Sequence, residues 1–182
     1  MDTWWETNSR TKHQYRDRAK KTLAVLSPED KKRQDVSICT ILKKYIQSYD
    51  TRAVFIPFGY EANISPFVQQ LWQQNKTVLV PQIDGDNLRL AVYTEQSIIT
   101  QWIHKEWIIV DPQRYTWTLD VCLVPWLAFD NQWYRIGHGK WYYDKFLADN
   151  ACFRIWICYA QSIFHHIPYE DHDQKMDAMV CG

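Results

Sequence analysis

Apolar residues near the start of the chain recur at helical spacing. Tyr15, Ala19, Leu23 and Leu26 fall on one face between Thr11 and Leu26, and lysines and arginines fill the other. Ser27 then reads as an N-cap, with Pro28 at the first helical position and Glu29 and Asp30 in the first turn. That signal predicts a second helix reaching about Tyr49, with Val36, Ile38, Ile41, Leu42 and Tyr45 facing inward.

Beyond this point the texture changes. Ala53–Pro57 (AVFIP), Thr77–Pro81 (TVLVP), Val121–Pro125 (VCLVP) and Arg154–Tyr159 (RIWICY) are short apolar runs without clean alternation, as expected of parallel strands buried on both faces. Between the first two, SPFVQQLWQQ opens with a Ser-Pro cap and keeps helical spacing, so the unit reads as a βαβ crossover, expected to be right-handed. Leu88–Tyr93 alternates and suits an antiparallel or edge strand, and Tyr142–Ala148 suits a helix. With no repeat or linker, residues 1–182 read as one α/β domain, helices on both sides of a mainly parallel sheet. Ligands of such sheets sit beyond the strands' carboxyl ends, here the loops after Pro57, Pro81, Pro125 and Tyr159.

Composition and local pattern add further constraints. Twenty-one basic residues balance 21 acidic ones, which argues against a nucleic-acid or acidic-membrane surface. No run is long enough to span a bilayer, and the polar start has no signal-peptide core. Five cysteines without a CxxC pair read as reduced thiols, mostly buried, of a cytoplasmic protein. His165, His166, Asp171, His172 and Asp173 crowd together but lack metal-ligand spacing and read as a polar loop.

The chemistry concentrates in Leu123–Leu147, LVPWLAFDNQWYRIGHGKWYYDKFL. A buried strand ends at Pro125. Arg135, Gly137, Gly139 and Lys140 then precede a helix start, where exposed N–H groups and cations suit phosphate, and Asp144 suits a magnesium ion. A solvated turn with incidental basic residues is the alternative from this segment alone.

VPWLAFD followed by RIGHGKWYYD resembles the signature of the 5-formyltetrahydrofolate cyclo-ligase (methenyltetrahydrofolate synthetase) family, roughly VPGLAFD and then GxRLGxGxGYYDRFL. The resemblance extends over nearly the whole chain. Lys12 and Arg16 match a KxxxR on the family's first helix, Glu61 in GYEANIS its folate-contacting glutamate, and His172, Asp173, Met176 and Asp177 its late HD…VD element. Taken alone, Lys12 and Arg16 belong to a basic stretch that reads as a solvated face, and Glu61 and Asp173 are ordinary loop acids.

The resemblance implies a three-layer α/β/α fold and an ATP- and Mg²⁺-dependent closure of 5-formyltetrahydrofolate to 5,10-methenyltetrahydrofolate; a monomer is the separate expectation for its assembly. It assigns Lys12, Arg16, Arg135, Gly137, His138, Gly139, Lys140, Trp141, Tyr142 and Tyr143 to ATP, with Lys140 and Arg135 catalytic. Glu61, Trp126 and Tyr142 fall to the folate and Asp144 and Asp173 to Mg²⁺; Tyr143 is expected to pack on the core.

Tryptophan departs from that pattern. The chain holds 10 tryptophans and 5 glycines, whereas ordinary usage gives about 13 glycines at this length. Trp126, Trp133, Trp141 and Trp156 stand where the family has glycine, and a large indole is the worst replacement wherever φ is positive or a phosphate must approach the backbone. Trp107 lies one residue away from another such position. A UGA codon read as glycine in the source organism would account for all four. Genuine tryptophans would cripple catalysis and favour a non-catalytic folate or nucleotide binder. An interaction domain with a tryptophan patch is a further alternative, but leaves the coincidence with glycine positions unexplained.

Overall fold

The computed structural model describes residues 4–101, 107–110, 112–115, 118–137 and 141–182. Two helices lead the chain, α1 (Trp4–Ala24) and α2 (Pro28–Ile46). The start of α2 is as the sequence predicts: the Ser27 hydroxyl oxygen accepts the Asp30 N–H at 3.0 Å, with Pro28 in the first turn.

Its buried stripe is Gln34, Ile38, Leu42 and Ile46. Val36 and Tyr45, expected inward, are instead 61% and 62% exposed. Val36 lies across the helix from the Gln34–Ile38 row, and Tyr45 stands in solvent under the Lys44 ammonium. The helix also stops three residues before Tyr49. Arg52, fully buried, caps it by donating from Nε to the Ile46 carbonyl at 3.1 Å and from Nη2 to the Gln47 carbonyl at 2.9 Å. Burial pushes the Arg52 pKa down, against the opposing charges of Asp50 and Asp120.

The next segment is β1 (Thr51–Ala53), α3 (Ser65–Gln73), β2 (Thr77–Asp84) and β3 (Asn87–Val92). Parallel pairing of β1 with β2 around α3 makes the expected βαβ unit. Ser65 is the first helical residue rather than the cap; the Asn63 side chain accepts its N–H at 3.1 Å. Pro81 sits inside β2 instead of ending it. Leu79 accepts Val54 N–H on the β1 side, so the missing N–H of Pro81 points past the end of β1, where no ladder bond is lost.

Then come β4 (Ile99–Gln101), β5 (Trp107–Ile109), β6 (Arg114–Tyr115), β7 (Val121–Pro125), β8 (Ala128–Asp130) and β9 (Arg135–Ile136). Helix α4 (Tyr142–Asp149), β10 (Phe153–Cys158), β11 (Ile163–Phe164) and β12 (Ala178–Cys181) complete the chain. The main sheet runs β12-β10-β7-β1-β2-β3-β6. Pairing is parallel from β12 to β2 and antiparallel at β3 and β6, the edge that the alternation of Leu88–Tyr93 foreshadows.

Both faces of the parallel strands are buried, which is why their sequences do not alternate in polarity. Val121, Leu123, Ile155 and Ile157 join a core with Ala19 and Leu23 of α1, Ile38 and Leu42 of α2 and Phe67 and Leu71 of α3. The intervening Cys122, Val124, Trp156 and Cys158 join a second core with Phe146 and Leu147 of α4. The result is an α/β fold with a mixed sheet between helical layers. All five cysteines are free; Cys122 and Cys158 are buried and the others half-buried.

Candidate functional site

β8 and β9 form a hairpin just beyond the carboxyl end of β7, paired Ala128 to Ile136 and Phe129 to Arg135. Its knot is Asp130, fully buried. One oxygen accepts the N–H groups of Gln132 and Tyr134 at 2.9 and 3.1 Å, and the other accepts that of Ile167 at 3.0 Å. Asp130→Ala strands these donors and is expected to cost about 3 kcal/mol. In urea denaturation the midpoint should fall with an unchanged slope; an unmoved midpoint would contradict this role.

The hairpin delivers Arg135 into the interior. Its Nη2 donates to Asp144 Oδ1 on α4 at 2.7 Å, and its Nη1 to the Gln174 carbonyl. Asp144 Oδ1 also accepts the Gln174 N–H at 3.0 Å. Burial pushes the Arg135 pKa down while Asp144 opposes the shift; the guanidinium stays cationic.

From α1, Lys12 Nζ donates to Asp173 Oδ2 at 2.6 Å and to Glu170 Oε2 at 3.1 Å, a largely buried triad. One turn on, Arg16 Nε donates to the Gly137 carbonyl at 2.6 Å. Its pKa is lowered by burial, with Asp173, Glu170 and Asp17 opposing. These groups surround a cavity lined by Lys12, Arg16, Trp126, Arg135, Gly137, Trp141, Asp144 and Asp173, with Ile136 between. Three cations and two carboxylates from distant parts of the chain meet there, a donor set suited to polyphosphate.

The cavity itself is small. It measures about 20 Å³, room for roughly one water molecule. The Trp126 indole takes up the adjacent space: a Cβ built on Gly137 would fall on its Cζ3, Cε3 and Cη2 atoms. The Arg135 guanidinium carbon lies 4.7 Å from that ring's centre, and Tyr143 meets it edge-on at 5.6 Å.

Other residues expected at the site are placed differently. His138, Gly139 and Lys140 lie outside the described residues. Glu61 is not among the lining residues; its Oε2 accepts the Phe58 N–H at 2.9 Å, closing its own turn after β1. Tyr142 and Tyr143 begin α4 without lining the cavity, and Tyr143 packs on the second core, as expected. Glu170 and Gln174 are contacts that sequence reasoning missed. Glu170 stands in an acidic run with nothing to single it out, and Gln174 contributes backbone atoms that any residue type would supply. Among the described residues there is no cluster of three His, Cys, Asp or Glu able to hold a metal, and no helix long and apolar enough to cross a membrane.

Comparison with known proteins identifies the motif's relatives. A model of the 5-formyltetrahydrofolate cyclo-ligase family matches residues 8–182. The 5-formyltetrahydrofolate cyclo-ligase of Mus musculus is 25% identical over 179 residues, 88% of this chain and 88% of that protein. That of Escherichia coli K12 is 28% identical over 166 residues, 85% of this chain and 91% of that protein. Among solved structures, the 5,10-methenyltetrahydrofolate synthetase of Aquifex aeolicus superposes with a TM-score of 0.82 at 22% identity, covering 93% of this chain and 89% of that one. The Mycoplasma pneumoniae synthetase superposes with a TM-score of 0.76 at 19% identity, covering 93% and 97%.

Proposed function

Because the chain belongs to the 5-formyltetrahydrofolate cyclo-ligase family, we propose that it is a ligase that uses ATP and Mg²⁺ to convert 5-formyltetrahydrofolate to 5,10-methenyltetrahydrofolate. The γ-phosphoryl group passes to the formyl oxygen, leaving ADP. The neighbouring aniline nitrogen attacks the activated carbon and gives up its proton, and the C–O bond to phosphate breaks, releasing inorganic phosphate and closing the ring. Phosphoryl transfer of this kind depends on positioning and charge neutralisation more than on covalent chemistry by the protein.

One observation carries the reading: Lys12, Arg16 and Arg135 converge with Asp144 and Asp173 on a single cavity beyond β7. Lys12 and Arg16 would hold phosphates from α1, and Arg135 and Lys140 would stabilise charge on the transferred group. Gly137, His138 and Gly139 would let backbone N–H groups approach the triphosphate, and residue 141 and Tyr142 would start α4 against it. Glu61, from the loop after β1, would contact the folate together with residue 126 and Tyr142. Mg²⁺ commonly takes only one or two carboxylates, completing its shell with phosphate oxygens and water, so Asp144 and Asp173 fit it without a third protein ligand. When bound, the ion neutralises charge across the phosphate oxygens. Balanced net charge supports a partner set of small molecules without nucleic acid or membrane, and five cysteines without a CxxC pair support a reducing, cytoplasmic setting.

A second reading, a folate or nucleotide binder without turnover, is favoured by the Trp126 indole beside that cavity. One assay separates the two. Protein purified from its own cells is incubated with 5-formyltetrahydrofolate, with and without ATP and Mg²⁺, and followed by the absorbance of the methenyl product. Product that requires both ATP and Mg²⁺ is expected; folate binding without product would establish the second reading instead.

A further inference from the structure

Among the described residues, five tryptophan side chains are placed: Trp72, Trp126, Trp133, Trp141 and Trp156. They divide sharply. Trp72, on α3, behaves as a settled tryptophan. Its indole N–H donates to the Tyr93 carbonyl at 2.9 Å, and its ring meets Tyr93 edge-on at 5.0 Å. Each of the other four shows a defect that a glycine would not have.

Two of the defects are in the backbone. Trp133 has φ of 71° and Trp141 has φ of 49°, in the left-handed region that is an outlier for bulky residues. Trp133 follows a turn closed by its own N–H to the Asp130 carbonyl at 3.2 Å, just before β9. This is the arrangement of a G1 bulge, whose left-handed position glycine ordinarily fills. Trp141 precedes the first residue of α4, makes no side-chain cap, and leaves its ring 51% exposed against His172.

The other two concern side-chain space and hydrogen bonding. The Nε1 atoms of Trp126 and Trp156 are buried with no hydrogen-bond partner, whereas buried indole N–H groups ordinarily find one. Trp156 is fully buried at the centre of β10, its ring stacked on Phe129 at 4.2 Å. Trp126 lies flush against the Gly137 backbone, beside a cavity lined by three cations. Arg135 Nε, under that indole, is likewise buried without a partner. Arg135 also lines the cavity, and an unpaired cationic N–H on such a residue suits an anion.

We propose that positions 126, 133, 141 and 156 are glycine in the protein made by its own cells, their codons being UGA read as glycine. With glycine there, the cavity between α1, β9 and the start of α4 is a backbone-lined site for the phosphate groups of a nucleoside triphosphate, with Arg135 Nε freed to donate into it. Glycine at 141 supplies the left-handed turn into α4, glycine at 133 the bulge that aims Arg135, and glycine at 126 the volume. Only the phosphate assignment rests on the cyclo-ligase reading; the residue identities stand on φ values and unpaired atoms.

Peptide masses of the protein isolated from its own cells, set beside the codons of its gene, test the residue identities. Glycine masses and UGA at all four positions are expected, with Trp72 retained and encoded by UGG. Tryptophan masses, or UGG at the four positions, would overturn the proposal whatever the protein's activity. Glycine masses from a protein that closes no folate ring would leave the residue identities standing and defeat the cyclo-ligase reading. In a recombinant tryptophan-bearing chain, the double substitution Trp133→Gly and Trp141→Gly provides a second measurement. A raised thermal midpoint is expected from release of the two left-handed tryptophans, and an unchanged or lower midpoint would contradict the backbone argument.

Discussion

A chain carrying glycine at 126, 133, 141 and 156 is expected to form 5,10-methenyltetrahydrofolate at least about 10²-fold faster than the tryptophan-bearing chain, since misplacing a reacting group by ~1 Å alone costs that much. The loss should be concentrated at two positions. Trp126 takes space beside Lys12, Arg16 and Arg135, so Trp126→Gly alone should recover most of the affinity for ATP. Trp141 holds a strained turn where α4 begins, and Trp141→Gly should act chiefly on turnover by relaxing that turn beside the triphosphate. Trp156 lies within the sheet, distant in role from phosphate, and its substitution should change stability more than rate. Initial rates from product absorbance across these variants check the order. Equal rates in the tryptophan and glycine chains would remove the steric argument.

Arg135→Met should be the most destabilising single change at the site, lowering unfolding free energy by about 3–5 kcal/mol, as when one partner of a buried ion pair is removed. Arg135 and Asp144 are both buried, and the substitution takes from Asp144 its guanidinium partner while the Gln174 N–H remains. Pairing Arg135→Met with Asp144→Leu should recover much of that loss, because an apolar pair no longer strands a charge. Guanidinium denaturation of the two single variants and the double variant measures the coupling. Independent, additive losses would mean that the two side chains do not act as a pair.

Local signals carried most of what was legible in the sequence. The Ser27 cap and Pro28 mark the start of α2 because capping is satisfied within one turn. The apolar runs at β7 and β10 read as parallel strands because burial on both faces removes polar alternation. The cavity's residues were legible through motif order: Lys12, Arg16, Arg135, Gly137, Asp144 and Asp173 are remote in sequence and meet in the fold.

Long-range pairing sets the features that escaped. β8, β9 and β11 have two or three residues each, too few to show a period, and exist because they pair with one another. Nothing local marks Arg52 as the cap of α2, because the carbonyls it meets belong to the helix end. Pro81 reads as a strand end, yet β1 stops first and leaves its missing N–H harmless. The tryptophan and glycine imbalance was visible in composition. Its cost became apparent only in the left-handed φ of Trp133 and Trp141 and the unpaired nitrogens of Trp126 and Trp156.

Calorimetric titration of ATP and Mg²⁺ into the glycine chain and the tryptophan-bearing chain, side by side, most directly tests whether this cavity is a triphosphate site blocked by indole. Saturable binding to the glycine chain, lost or greatly weakened in the tryptophan-bearing chain, is the expected result. Equal affinity in both chains, or no binding to either, would contradict it.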